Sequence, residues 1–178
     1  MADSIHVKLP DGSVKDVPKG TTALDVAKSI SPRLADAALV AQISSNGGQA
    51  GESSRPTLID LTKPLEKDTD LRLLTEKDPE SLEVYRHSSA HLLAAAVLEL
   101  FPETKLGHGP ATESGFFYDF YRPTPFTPED LEKIEKKMQE LVQQNIPYAR
   151  EFLPRDQGLA EFKKEGDFMK CHFIEQFT

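Results

Sequence analysis

Asp11-Gly12 stands between two short runs in which apolar and polar residues alternate, Ile5-His6-Val7-Lys8-Leu9 and Val14 to Val17. A period of two marks a strand with one buried face, and Asp-Gly supplies the backbone that a tight hairpin needs. The chain therefore opens on a β-hairpin turned by Pro10-Asp11-Gly12-Ser13. A helix follows, capped by Thr21 or Thr22, carrying Leu24, Val26, Ala27 and Ile30 and ending near Ser31-Pro32. Ala37 to Ile43, Thr57 to Leu61 and Leu71 to Leu74 are the further strands expected. A Ser- and Gly-rich loop, Ser44 to Pro56, lies between the first two of them. Two strands, a helix and more strands within residues 1–75 make a small α+β domain of the β-grasp type.

The pattern changes at Glu76-Lys77-Asp78-Pro79. Asp78 suits an N-cap and Pro79 the first helical position, so a helix is predicted from here to Phe101, where Pro102 stops it. From Leu92 to Leu98 it is apolar on every face, which predicts burial within a second domain, residues 76–178. Thr104 to Arg122 shows no helical period, and Phe116 to Tyr121 reads as a strand. Thr127-Pro128-Glu129-Asp130 opens another helix, with Leu131, Ile134, Met138, Leu141 and Val142 at helical spacing before Pro147. A short helix from Pro154 to Glu165 is closed by Gly166, and Phe168 to Phe177 reads as a last strand. The second domain is thus also α+β, with a sheet that looks incomplete.

Charge narrows the possible partners. The 178 residues carry a formal charge of −8, with nine basic and ten acidic side chains in residues 1–75 and twelve and nineteen in residues 76–178. A surface that grips a phosphate backbone by itself leans the other way. A nucleic-acid partner would therefore draw most of its affinity from elsewhere. One cysteine, Cys171, excludes an internal disulfide framework and points to a reducing compartment. The apolar run Leu92–Leu98 is far short of a bilayer span, and Met1-Ala2-Asp3-Ser4 does not begin a signal peptide. A cytoplasmic location without membrane contact is the expectation.

His87 and His91 form His-x-x-x-His on this helix, which is expected to be buried. Four residues apart, the rings share one face, where they can hold a metal, a water or an ester, or serve only in helix packing. No glutamate follows the first histidine, so the zinc-protease pattern fails, and two histidines fall short of a zinc ligand set. His108 is a possible third ligand that nothing in the sequence brings near, and no metal is expected. Tyr118 belongs to an aromatic run, where core packing with one hydroxyl at the edge is its simplest role. Lys170, beside Cys171 and His172, reads as an exposed strand lysine. Cys171 reads as a small buried residue, since His172 would lie on the opposite strand face. The mixed charges of Lys133, Lys136, Lys137 and their acidic neighbours make a solvated helix face rather than a nucleic-acid patch.

The segment Arg86-His87-Ser88-Ser89-Ala90-His91-Leu92-Leu93, followed by Gly109-Pro110 and Gly115-Phe116-Phe117-Tyr118-Asp119, resembles the bacterial threonyl-tRNA synthetases. Leu9-Pro10-Asp11-Gly12-Ser13 resembles the opening hairpin of that family's ubiquitin-like TGS domain. The histidine motif is shared with alanyl-tRNA synthetase editing domains, and the TGS start favours the threonyl family. The resemblance implies a TGS domain over residues 1–75 and the N-terminal part of a tRNA-editing domain over 76–178. It implies that His87, His91 and Lys170 are catalytic residues for hydrolysis of serine misesterified to threonine tRNA, and that Tyr118 binds substrate. The later Cys-x-x-x-His motif with which the family completes this site does not occur among these residues. The resemblance therefore implies a fragment without ligase activity or complete editing activity. ATP, magnesium and a core zinc are expected only in the family's catalytic domain, and a homodimer only for the full enzyme. Two other readings remain open: a non-catalytic β-grasp binding module and a zinc-dependent hydrolase of the alanyl-editing kind.

Overall fold

A computed structural model describes residues 3–44, 56–147 and 151–176. The hairpin forms as its sequence predicts: β1 (Ser4–Lys8) pairs antiparallel with β2 (Val14–Pro18), Ile5 opposite Val17 and Val7 opposite Lys15. At the turn the Leu9 N–H donates to the Ser13 carbonyl at 2.8 Å, and Gly12 takes a φ of 84°. The Asp11 carboxylate accepts from the Ser13 N–H at 2.9 Å, which closes the turn with a side chain.

Thr22 caps α1 (Ala23–Ile30), its hydroxyl accepting from the Asp25 N–H at 3.1 Å while Asp25 reaches back to complete a capping box. Ser31-Pro32 ends this helix and also starts another. The Ser31 N–H bonds to the Ala27 carbonyl at 3.0 Å, and its hydroxyl caps α2 (Pro32–Ala37) through the Leu34 N–H at 3.1 Å. The next strand, β3 (Ala38–Ser44), consequently begins one residue later than the apolar pattern predicts. β4 (Thr57–Ile59) is shorter than expected and β5 (Thr69–Thr75) longer. Of the expected Ser44–Pro56 loop, residues 45–55 lie outside the described residues.

The five strands form one mixed sheet in the order β2-β1-β5-β3-β4. β1 and β5 run parallel, while β3 pairs antiparallel with both β5 and β4. Strands that are distant in sequence thus become central neighbours, and the inward residues Ile5, Val7, Ala41, Ile59 and Leu71 meet Ala23 and Val26 of α1 in one core. This is a β-grasp arrangement, a mixed sheet around one principal helix.

By packing, the chain divides into units Met1–Tyr85 and Arg86–Thr178, the boundary falling within α3 (Pro79–Leu100). Asp78 does precede this helix, but its carboxylate turns back to accept the Thr75 N–H at 2.8 Å and to pair with Arg72. Further along α3, Ala90, Ala94, Ala96 and Val97 are buried, whereas Ala95, Leu98 and both histidines are exposed. The expectation of a buried His-x-x-x-His helix is thereby corrected: one side of α3 is buried through three of its alanines and Val97, while His87 and His91 are exposed, and so are Ala95 and Leu98 of the run Leu92–Leu98.

The second unit adds β6 (Lys105–Leu106), β7 (Phe120–Tyr121), α4 (Pro128–Gln144), α5 (Arg155–Lys164) and α6 (Phe168–Gln176). Ala96 and Val97 meet Ile134 and Leu141 of α4, ringed by Leu93, Phe101, Phe120 and Phe126. The Arg122 guanidinium lies over the Phe101 and Phe126 rings, 4.2 and 4.6 Å from their centroids. Two predicted strands are corrected. Phe116–Tyr121 pairs as a strand only at Phe120–Tyr121, because its partner β6 is two residues long, with a single further bridge between Ala111 and Phe116. Of the strand expected over Phe168–Phe177, residues Phe168–Gln176 form a helix, α6, and Phe177 lies outside the described residues.

Candidate functional site

The i, i+4 spacing on α3 brings the two histidines together. Their Nε2 atoms are 3.1 Å apart, and the rings meet edge to face with centroids 4.7 Å apart. At that separation one Nε2 donates a proton and the other accepts it, so at least one ring is neutral while the contact lasts. Partial burial, then the charges of His87 and Lys170, push His91 below the ordinary histidine value of 6.5. His91 is therefore held neutral near pH 7 and becomes charged only as the pH falls through its lowered midpoint.

The segment that carries Tyr118 is tied to its neighbour by backbone bonds. The Asp119 N–H donates to the His108 carbonyl at 2.9 Å, and the Gly107 N–H donates to the Asp119 carbonyl at 2.8 Å. Arg86, at the start of this unit, donates to the Thr112 carbonyl at 3.1 Å and holds the next turn against α3. The Tyr118 ring stacks on Phe120 and presses on Gly109, where a side chain would meet its ring atoms. Half-buried, its hydroxyl is pushed above 10 first by desolvation and then by the charge of Asp167.

Lys170 is on a helix, not on the strand the sequence predicts, and it is half-buried. Its ammonium lies 3.7 Å from the Asp167 carboxylate and 4.7 Å from the centroid of the Phe162 ring. The charge of Lys170 is felt at His91 and that of Asp167 at Tyr118, so α6 joins the two other parts of the site electrostatically. Cys171 is buried as expected, though one helical step from His172 rather than across a strand. His108 turns toward Phe173, ring centroids 6.1 Å apart. Asp167 escapes sequence reasoning. Its signal is the pair Gly166-Asp167, a helix stop followed by a helix-capping residue, which the alternation of Phe168 to Phe173 conceals. Among the described residues, no group of three or more His, Cys, Asp or Glu could hold a metal ion. No helix among them is long and apolar enough to cross a membrane.

Residues 5–75 match the TGS domain family. The whole chain is 58% identical to the threonine–tRNA ligase of Acidobacterium capsulatum, covering 29% of that protein. Similar matches are to the threonine–tRNA ligases of Rickettsia peacockii, 49% identical over 96% of this chain, and Symbiobacterium thermophilum, 43% identical over 99%. Each of these two is covered to 25% of its length. Residues 5–75 belong to the TGS domain family, and the chain as a whole is similar to threonine–tRNA ligases. It corresponds to the N-terminal part of these ligases and spans between a quarter and a third of the length of the curated relatives it matches. The family and its TGS start are therefore those that the hairpin and the histidine motif imply.

Proposed function

We propose that this chain is the region of a threonine–tRNA ligase that contributes to hydrolysis of serine misattached to threonine tRNA. Residues 1–75 are its TGS domain and residues 76–178 the N-terminal part of its editing domain. The observation that carries this reading is the histidine pair at 3.1 Å, with the Lys170 charge within electrostatic reach of His91. The chemistry explains the need for such a site. Serine is threonine without a methyl group, and one such group discriminates by only about 1–3 kcal/mol, so a second sieve must remove the error.

In this mechanism Tyr118 and Lys170 hold the terminal adenosine and its seryl ester beside α3. A water bound at the neutral imidazole of His91 attacks the ester carbonyl carbon and gives a proton to the ring. His87 retains the ring-to-ring bond that orients its partner. As the tetrahedral intermediate collapses, the acyl–oxygen bond breaks, serine leaves as its carboxylate and the ribose oxygen takes up a proton. No step runs through a metal. ATP-dependent charging with threonine, its magnesium and zinc, and homodimer formation belong to the larger enzyme, and a cytoplasmic location is part of the same reading.

The test is deacylation of serine-charged threonine tRNA by three proteins. They are this chain, the chain extended through the family's Cys-x-x-x-His segment, and the extended chain with His87→Ala and His91→Ala. Activity is expected in the extended protein and should fall about 100-fold or more with the double substitution. An inactive extended protein, or no effect of the substitutions, would overturn the assignment.

A further inference from the structure

The corner between α5 and α6 is built around one buried carboxylate. α5 ends in a Schellman motif: Gly166 adopts a φ of 69°, its N–H bonds to the Lys163 carbonyl at 3.2 Å, and the Asp167 N–H bonds to the Phe162 carbonyl at 2.9 Å. The same Asp167 starts α6, since its Oδ1 accepts the Lys170 N–H at 3.0 Å and its carbonyl accepts the Cys171 N–H at 3.1 Å. Its second oxygen, Oδ2, faces the Lys170 ammonium at 3.7 Å. Asp167 is only 8% exposed, and the Phe162 ring on the other side of the ammonium belongs to the turn that the Schellman motif closes.

We infer that Asp167 is a positioning residue, which fixes the Lys170 ammonium between its own carboxylate and the Phe162 ring so that the lysine faces the histidine pair. A helix cap alone needs one acceptor oxygen, and serine or asparagine provides it equally well. The ion pair needs a charged second oxygen, held here by burial and by the cap bond of the first. The charge of Asp167 felt at Tyr118 agrees with this placement, since it sets the carboxylate near the site as well as in the corner. The inference rests on the proposed role of Lys170, but its geometry can be tested without substrate.

The experiment follows the titration midpoint of His91 by NMR in the chain as it stands, in Asp167→Asn, in Lys170→Met and in the double variant. Asparagine keeps the cap, so thermal unfolding should change little. Removing the lysine charge should raise the His91 midpoint by a few tenths of a pH unit in the parent. In the Asp167→Asn background, where the lysine is no longer held, the same change should move it by less than half as much. Equal shifts in the two backgrounds, or none in the parent, overturn the inference. If Asp167→Asn fails to fold, Asp167→Ser takes its place in the cycle. Failure of the editing reading would appear separately, as an extended protein that does not hydrolyse the seryl ester.

Discussion

Tyr118 shows how one residue of the site depends on the absence of a side chain elsewhere. A Cβ on Gly109 would stand 2.3 Å from its Cδ2 and 2.5 Å from its Cε2, so ring and backbone occupy neighbouring space that alanine would invade. A Cβ on Gly115, a few residues along the same segment, would meet nothing within 4 Å. Gly109→Ala should therefore destabilise the chain by about 1–3 kcal/mol in denaturant unfolding, the cost of overpacking. Gly115→Ala should stay within about 0.5 kcal/mol of the parent. Equal effects would mean that Tyr118 is not pressed against Gly109. The histidine pair, by contrast, needs only helical spacing, which is why it is legible from residue order alone.

Among the elements, α5 and the turn that closes it carry two glycines with opposite expectations. Gly158 lies inside the helix with open space around its Cβ direction, so alanine there should stabilise by about 0.5–1 kcal/mol through its better helix propensity. Gly166 closes the helix at a φ of 69°, which alanine adopts at a cost of about 1–2 kcal/mol. Thermal unfolding of both variants measures the contrast, and a stabilising Gly166→Ala would remove the Schellman corner from the account. α6 itself is the element that sequence pattern misplaces. Phe168 to Phe173 contains enough apolar–polar alternation to read as a strand, and nothing local forbids it. What decides for a helix is the Asp167 carboxylate, which satisfies the Lys170 N–H, together with burial of Cys171. Phe116–Tyr121 fails as a long strand for the complementary reason, since β strands need partners and β6 offers two residues before Gly107.

For the molecule as a whole, the acidic excess lies in residues 76–178, the part proposed to meet the acceptor end of tRNA. Counterion release rewards basic surfaces, so this chain should bind threonine tRNA weakly by itself, with a dissociation constant above about 10 μM at physiological salt. Filter binding or fluorescence anisotropy across a salt series checks this. Tight binding with a steep salt slope would show a basic surface that the charge distribution does not contain, and would move recognition of the tRNA body into this region.

The sequence alone determined whatever short-range physics controls. Asp11-Gly12 closes a hairpin, Thr127 opens a helix, and a spacing of four brings His87 and His91 to one face, because each depends on residues only a few positions apart. Its motifs also identified the family, to which the curated relatives then pointed. Tertiary structure alone decided the parallel pairing of β1 with β5, the helical state of residues 168–176 and the place of Asp167 beside Lys170. Those outcomes depend on burial and on partners distant in the chain, for which local propensity carries no signal.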